Sequence, residues 1–98
     1  MSKLRQSAKG QECTARIPGV CNFRPETTVL AHINGAGIGR KDNDLFGSFC
    51  CSDCHFYLDG GYVKNKVEST REQRDLWHLQ AVIRTQRAWL AMGLVRAE

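Results

Sequence analysis

Five cysteines in a chain of 98 residues restrict this sequence more than any other feature. A chain this short buries a limited apolar core and gains from a covalent or metallic staple. A secreted disulfide framework is expected to show an even cysteine count behind a signal peptide. The segment Met1-Ser2-Lys3-Leu4-Arg5-Gln6-Ser7 has neither an apolar core nor a cleavage site, so it does not read as a secretory signal. Clustered cysteines in a cytoplasmic chain point to metal. Four of the five form two pairs, Cys13 with Cys21 and Cys51 with Cys54. Two cysteines three positions apart place both sulfurs in one turn, and four thiolates suit a closed tetrahedral zinc site. Cys13 and Cys21 are separated by seven residues, wider than the usual knuckle. Pro18-Gly19 between them fits the centre of a type II turn, which would bring the two together.

Cys50 is the alternative partner for Cys54. Cys51 is preferred, because it leaves Cys50 beside Phe49 facing the core and His55 directly after the second ligand. The competing reading is that the cysteines are free buried thiols, common for this residue type. A thioredoxin-like role is disfavoured, since no βαβ pattern surrounds Cys51-Ser52-Asp53-Cys54.

The net charge of +4 and pI near 9.0 allow attraction to phosphate backbones. The basic residues are spread from Arg16 to Arg87, with no polybasic tail. No apolar run is long enough to span a membrane, and no repeat is present. The chain reads as one α+β domain over residues 1–98, with a zinc and site core at about 10–60 and a packing helix at about 69–92. Ser2–Lys9 is predicted as a short helix stopped by Gly10. Thr27–Ile33 and Leu45–Phe49 are predicted strands, joined by a glycine-rich loop over Asn34–Asp44. Cys51–Leu58 is a predicted helix, with Asp53 in its first turn and Asp59-Gly60-Gly61 as its stop. Ser69-Thr70-Arg71-Glu72 reads as a capping box with Ser69 as N-cap. Leu76, Leu79, Ile83 and Leu90, widened by Val82 and Trp89, form the predicted core stripe of the last helix, and Gly93 ends it. His78 lies off that stripe and is given no role.

His32 stands in the apolar run Leu30-Ala31-His32-Ile33, where a neutral imidazole can accept a proton near pH 7. His55 follows the second cysteine of the helical pair, and Asp44 closes the polar loop. Two imidazoles, a carboxylate and water could form a site for a hard cation such as Mg²⁺ or Mn²⁺. The alternatives are a satisfied core histidine at position 32, a zinc-ligating His55, and a solvated turn at Asp42 and Asp44.

Leu30-Ala31-His32-Ile33, the Asp44-Leu45 step and Cys51-Ser52-Asp53-Cys54-His55 resemble an HNH nuclease, a ββα-metal, treble-clef zinc finger. More narrowly, the chain resembles the small prophage-encoded nucleases of the YbcO type. That likeness rests on Gly10-Gln11-Glu12-Cys13, Arg16-Ile17-Pro18-Gly19-Val20-Cys21-Asn22, Pro25-Glu26-Thr27, the His32 and His55 segments, and Arg84-Thr85-Gln86 with Trp89-Leu90. It covers almost the whole chain. The resemblance implies metal-dependent hydrolysis of phosphodiester bonds in duplex or branched DNA, during phage DNA processing or recombination in a bacterial cytoplasm. It implies zinc on Cys13, Cys21, Cys51 and Cys54, His32 as general base, and His55 holding a catalytic Mg²⁺ or Mn²⁺. Asp44 falls at the middle position, which is Asn in many members; it would bind the metal or orient His32, with Asn43 as a neighbouring alternative. Ala31 departs from the pattern, since many members carry a metal ligand just before the base. That departure leaves more water around the metal, or another residue filling the gap. It also supports the rival expectation of a non-catalytic zinc-finger module that binds nucleic acid or protein. A purely structural zinc protein is a third reading.

Overall fold

The structure, a computed structural model, describes residues 3–32, 43–61 and 69–96. The loop predicted over Asn34–Asp44 lies outside the described residues except for Asn43 and Asp44. The described elements are α1 (Lys3–Ser7), β1 (Val29–His32), β2 (Gly47–Cys50), α2 (Ser52–Phe56) and α3 (Arg71–Met92), with short 3₁₀ turns at Pro25–Thr27 and Asp44–Phe46. This is a small α+β arrangement of a two-stranded antiparallel sheet and a long C-terminal helix. No helix among the described residues is long and apolar enough to cross a membrane.

Local chemistry sets the element ends. Gly10 takes a left-handed φ of 79° just after α1. Ile17-Pro18-Gly19-Val20 closes with the Val20 N–H on the Ile17 carbonyl at 3.0 Å, and Gly19 supplies the φ of 77° that a type II turn requires. The second strand is shorter than its sequence suggests. Leu45 and Phe46 are apolar, but Asn43 accepts the Leu45 N–H at 3.0 Å and winds Asp44–Phe46 into a 3₁₀ turn. Pairing then starts at Gly47 opposite His32 and runs to Cys50 opposite Val29. A Cβ at position 47 would stand 2.8 Å from the Leu30 side chain and 3.2 Å from the Ala31 carbonyl. A bare backbone there allows the close strand contact beside His32. After α2 the chain widens into a π turn, Tyr57–Gly61, so the predicted stop at Asp59-Gly60-Gly61 falls inside a helical segment.

The last helix differs from expectation in two ways. Its N-cap is Thr70, whose side chain accepts the Gln73 N–H at 3.0 Å. Ser69 instead meets the Tyr57 hydroxyl at 2.5 Å. The predicted core stripe also faces outward: Leu76, Leu79, Ile83 and Leu90 are 43–52 % exposed. Val82 and Trp89 are buried, together with Ala81 and Thr85. The reason is steric and polar. Helix α3 packs on β2, and the small Ala81 and Thr85 permit close approach there. Thr85 Oγ1 accepts the Phe49 N–H at 3.0 Å and lies 2.9 Å from Thr14 Oγ1, which donates to the Phe49 carbonyl at 2.9 Å. Thr85 must therefore be the donor to Thr14. Phe49 and Trp89 meet edge to face, with centroids 5.7 Å apart, and the Trp89 indole N–H reaches Ser7 Oγ at 2.8 Å. Gly93, at φ 76°, ends α3 with the Leu94 N–H on the Trp89 carbonyl at 3.0 Å.

Candidate functional site

The two cysteine pairs meet at the N-terminal end of α2. The Sγ atoms of Cys13, Cys21, Cys51 and Cys54 all lie within 4.8 Å of one another. Cys21 and Cys51 sulfurs are 3.9 Å apart, close to the edge of roughly 3.8 Å for a tetrahedron with 2.3 Å zinc–sulfur bonds. The Cys51 side chain caps α2 by accepting the Cys54 N–H at 3.3 Å, and Cys13 accepts the Arg16 N–H at 3.5 Å. Arg16 makes that reach with a left-handed φ of 46°. Such backbone donors stabilise thiolate charge. These four cysteines could hold a metal ion such as zinc.

Charge within the cluster collects on Cys13. The Cys54 thiol donates to it and, despite burial, lowers it to about 5, with the Arg16 N–H helping. Cys54 is raised by the same bond and by burial. Burial pushes Cys21 up to about 11. A divalent cation would reverse the order by drawing the remaining thiols into their ionised form. Cys50 stands apart from the four. Fully buried, it pairs with Ser48 Oγ at 3.2 Å, and burial pushes it up to about 12.

The histidines divide between two carboxylates. His32, at the end of β1, holds Asp44 Oδ1 through Nε2 at 2.5 Å, and Arg5 reaches the same oxygen at 3.2 Å. His55 Nε2 faces Asp59 Oδ2 at 3.3 Å, one helical turn on. His32, Asp44 and His55 are not gathered into a single ligand group; among the described residues only the four cysteines are. A cleft of about 400 Å³ opens beside His32, and Asp59, Arg71, Asp75 and His78 also line it.

The model of the family described as "Putative nuclease YbcO" matches residues 2–94. This chain belongs to the YbcO family. Two curated relatives, "Putative nuclease YbcO" of Escherichia coli (strain K12) and "Putative nuclease ybcO" of Enterobacteria phage 82, are each 40% identical over 107 residues. Each alignment covers 99% of this chain and 100% of the relative. A solved structure, "Structure of a putative bacteriophage protein from Escherichia coli str. K-12 substr. MG1655", superposes with a TM-score of 0.75 at 40% identity, over 93% of this chain and 100% of that one.

Two residues of this YbcO chain gain a place that sequence reasoning did not give them. Asp59 was read only as a helix stop, yet the π turn after α2 sets it against His55. An acid four residues beyond a helical histidine was the available signal. His78 has no role in the sequence reading. It lines the cleft with His32 and Asp59, and its Nε2 is buried without a hydrogen-bond partner among the described residues. Burial holds the His78 pKa below the ordinary value. No local pattern marks this residue, because the cleft it lines is completed by β1 and the π turn.

Proposed function

We propose that this chain is a metal-dependent DNA endonuclease of the HNH class, built on a treble-clef, ββα-metal core in one domain. The observation that carries the reading is the His32–Asp44 pair beside the cleft. Asp44 accepts the Nε2–H of His32 and fixes the tautomer, which leaves the Nδ1 lone pair to take a proton from water. Arg5 on the same carboxylate oxygen balances its charge. Asp44 thus orients the base, and His55 with Asp59 provides the donors for the divalent cation. An imidazole and a carboxylate on one side, completed by water, fit Mg²⁺ or Mn²⁺. When bound, that cation supplies charge neutralisation at the scissile phosphate and the leaving oxygen. Arg71, on the cleft wall, offers a guanidinium for a backbone phosphate. Zinc on Cys13, Cys21, Cys51 and Cys54 is structural: it ties the Pro18-Gly19 turn to α2 and so fixes His55 relative to β1. The relatives named "Putative nuclease YbcO" support a nucleic-acid substrate.

The test is nicking of supercoiled plasmid by zinc-loaded protein with Mg²⁺ or Mn²⁺, beside His32→Ala. Wild-type nicking should fall at least about 100-fold in the variant, the scale of a lost general base. Equal nicking by both would remove His32 from the reaction. No nicking by either on duplex or branched DNA, with salt-sensitive binding retained, would make the chain a non-catalytic nucleic-acid module.

A further inference from the structure

The N-terminal segment brings cations to one side of the proposed site. Residues 1–11 hold Lys3, Arg5 and Lys9 and no acid. Helix α1 is anchored by the buried Ala8 and by Ser7, which accepts the Trp89 indole N–H. A groove of about 460 Å³ lies between α1 and the start of β1, with Arg5, Gln6 and Lys9 on one wall and Thr28, Val29 and Leu30 on the other. Its charged lining residues are both basic. The cleft beside His32 differs, since it sets one cation, Arg71, against two acids, Asp59 and Asp75. The attraction for a phosphate backbone is therefore stronger on the α1 side. Two connections tie the groove to the proposed base. Arg5 lines it and also reaches Asp44 Oδ1 at 3.2 Å, the oxygen that holds His32. A guanidinium has five N–H donors, so Arg5 can keep Asp44 and still donate to a phosphate. Strand β1 is the second connection: Leu30 lines the groove, and His32, two residues on, lies about 7 Å further along the strand.

We infer that the groove between α1 and β1 binds the sugar-phosphate backbone of a DNA strand, with Lys9 and Arg5 as phosphate donors, and leads that strand to His32. This rests on the nuclease reading above and adds the surface that holds the substrate. Lysine and arginine contacts to phosphate fix register and orientation without reading sequence. The exposed Val29 gives the sugars an apolar surface in the same groove. Arg5 has a double duty, because one side chain both balances Asp44 and registers the strand against the base.

The experiment measures binding of a fluorescent duplex oligonucleotide by the zinc-loaded full chain across a salt series, without Mg²⁺ or Mn²⁺ so that no strand is cut. Wild type is compared with Lys9→Gln and with Arg87→Gln. Arg87 is exposed on α3 and does not line the groove, so its variant loses the same charge elsewhere. Lys9→Gln should lower the slope of log affinity against log salt by about 1, so that a tenfold rise in salt costs it about 10-fold less affinity than wild type. Arg87→Gln should keep the wild-type slope, and both variants should keep zinc content and melting temperature. A second readout needs no variant: bound DNA should protect Lys9 of wild type from acetylation, read by mass spectrometry. An unchanged slope in Lys9→Gln, an equal loss in Arg87→Gln, or full acetylation of Lys9 in the complex would overturn the inference, while wild-type nicking left the nuclease reading standing. Binding through Lys9 with no nicking under Mg²⁺ or Mn²⁺ would keep the groove and overturn the nuclease reading. A wild type that neither binds nor nicks DNA would overturn both.

Discussion

Cys50 and Cys51 are neighbours with opposite duties. Cys51 caps α2 and faces three other sulfurs, whereas Cys50 points into the core against Ser48. With zinc in the cluster, Cys54→Ser should lose the ion and the fold together. A structural zinc contributes about 10 kcal/mol or more, comparable to the whole stability of a small domain. Cys50→Ala should keep full zinc content and melt within about 2 kcal/mol of wild type, since it loses one sulfur from the core. Atomic absorption with a thermal melt checks both, and zinc loss in Cys50→Ala would move the ligand assignment. The four converging cysteines were legible because spacing and turn chemistry are local. The partners of the histidines were not. Asp44 belongs with His32 across 12 positions, and His78 lines the same cleft as His32 from a different helix. Such pairings depend on how β1, the π turn and α3 come together, which no local pattern encodes.

Helix α3 shows why apolar periodicity identified the element but misplaced its face. Leu76, Leu79, Ile83 and Leu90 are the most apolar residues at helical spacing, yet the buried residues of α3 are Ala81, Val82, Thr85 and Trp89. Two of those four are small, and Thr85 is polar. Packing against β2 rewards close approach and an acceptor for the Phe49 N–H, qualities that a hydrophobicity ranking scores low. Thr85→Val keeps the shape and removes that acceptor, so it should destabilise by about 1–3 kcal/mol in urea unfolding. Ile83→Gln, on the outward face, should stay within about 0.5 kcal/mol; a larger loss would mean that face is covered. Thr70→Ala should cost about 1 kcal/mol as the true cap.

At the scale of the molecule, the core of the described residues divides into two apolar clusters. One surrounds the cysteines, with Ile17, Tyr57 and Ala81; the other joins Ala8 of the N-terminal segment to Leu30, Phe49 and Trp89. A chelator strong enough to strip zinc should abolish far-UV helicity in α3 as well as in α2, because Ala81 packs into the cysteine cluster. Circular dichroism during chelation checks this, and a helix that survives metal removal would show that the second cluster stands alone. The polar clasps between Ser7 and Trp89 and between Thr14 and Thr85 give the architecture a direction in time. During synthesis, Cys54 leaves the ribosome well before Arg71, Asp75 and His78, and Trp89 follows later still. The nascent chain thus exposes all four thiols while one wall of its cleft is still inside the ribosome. The thiols are therefore available to metal before the cleft exists, and the cleft is complete only when α3 has emerged.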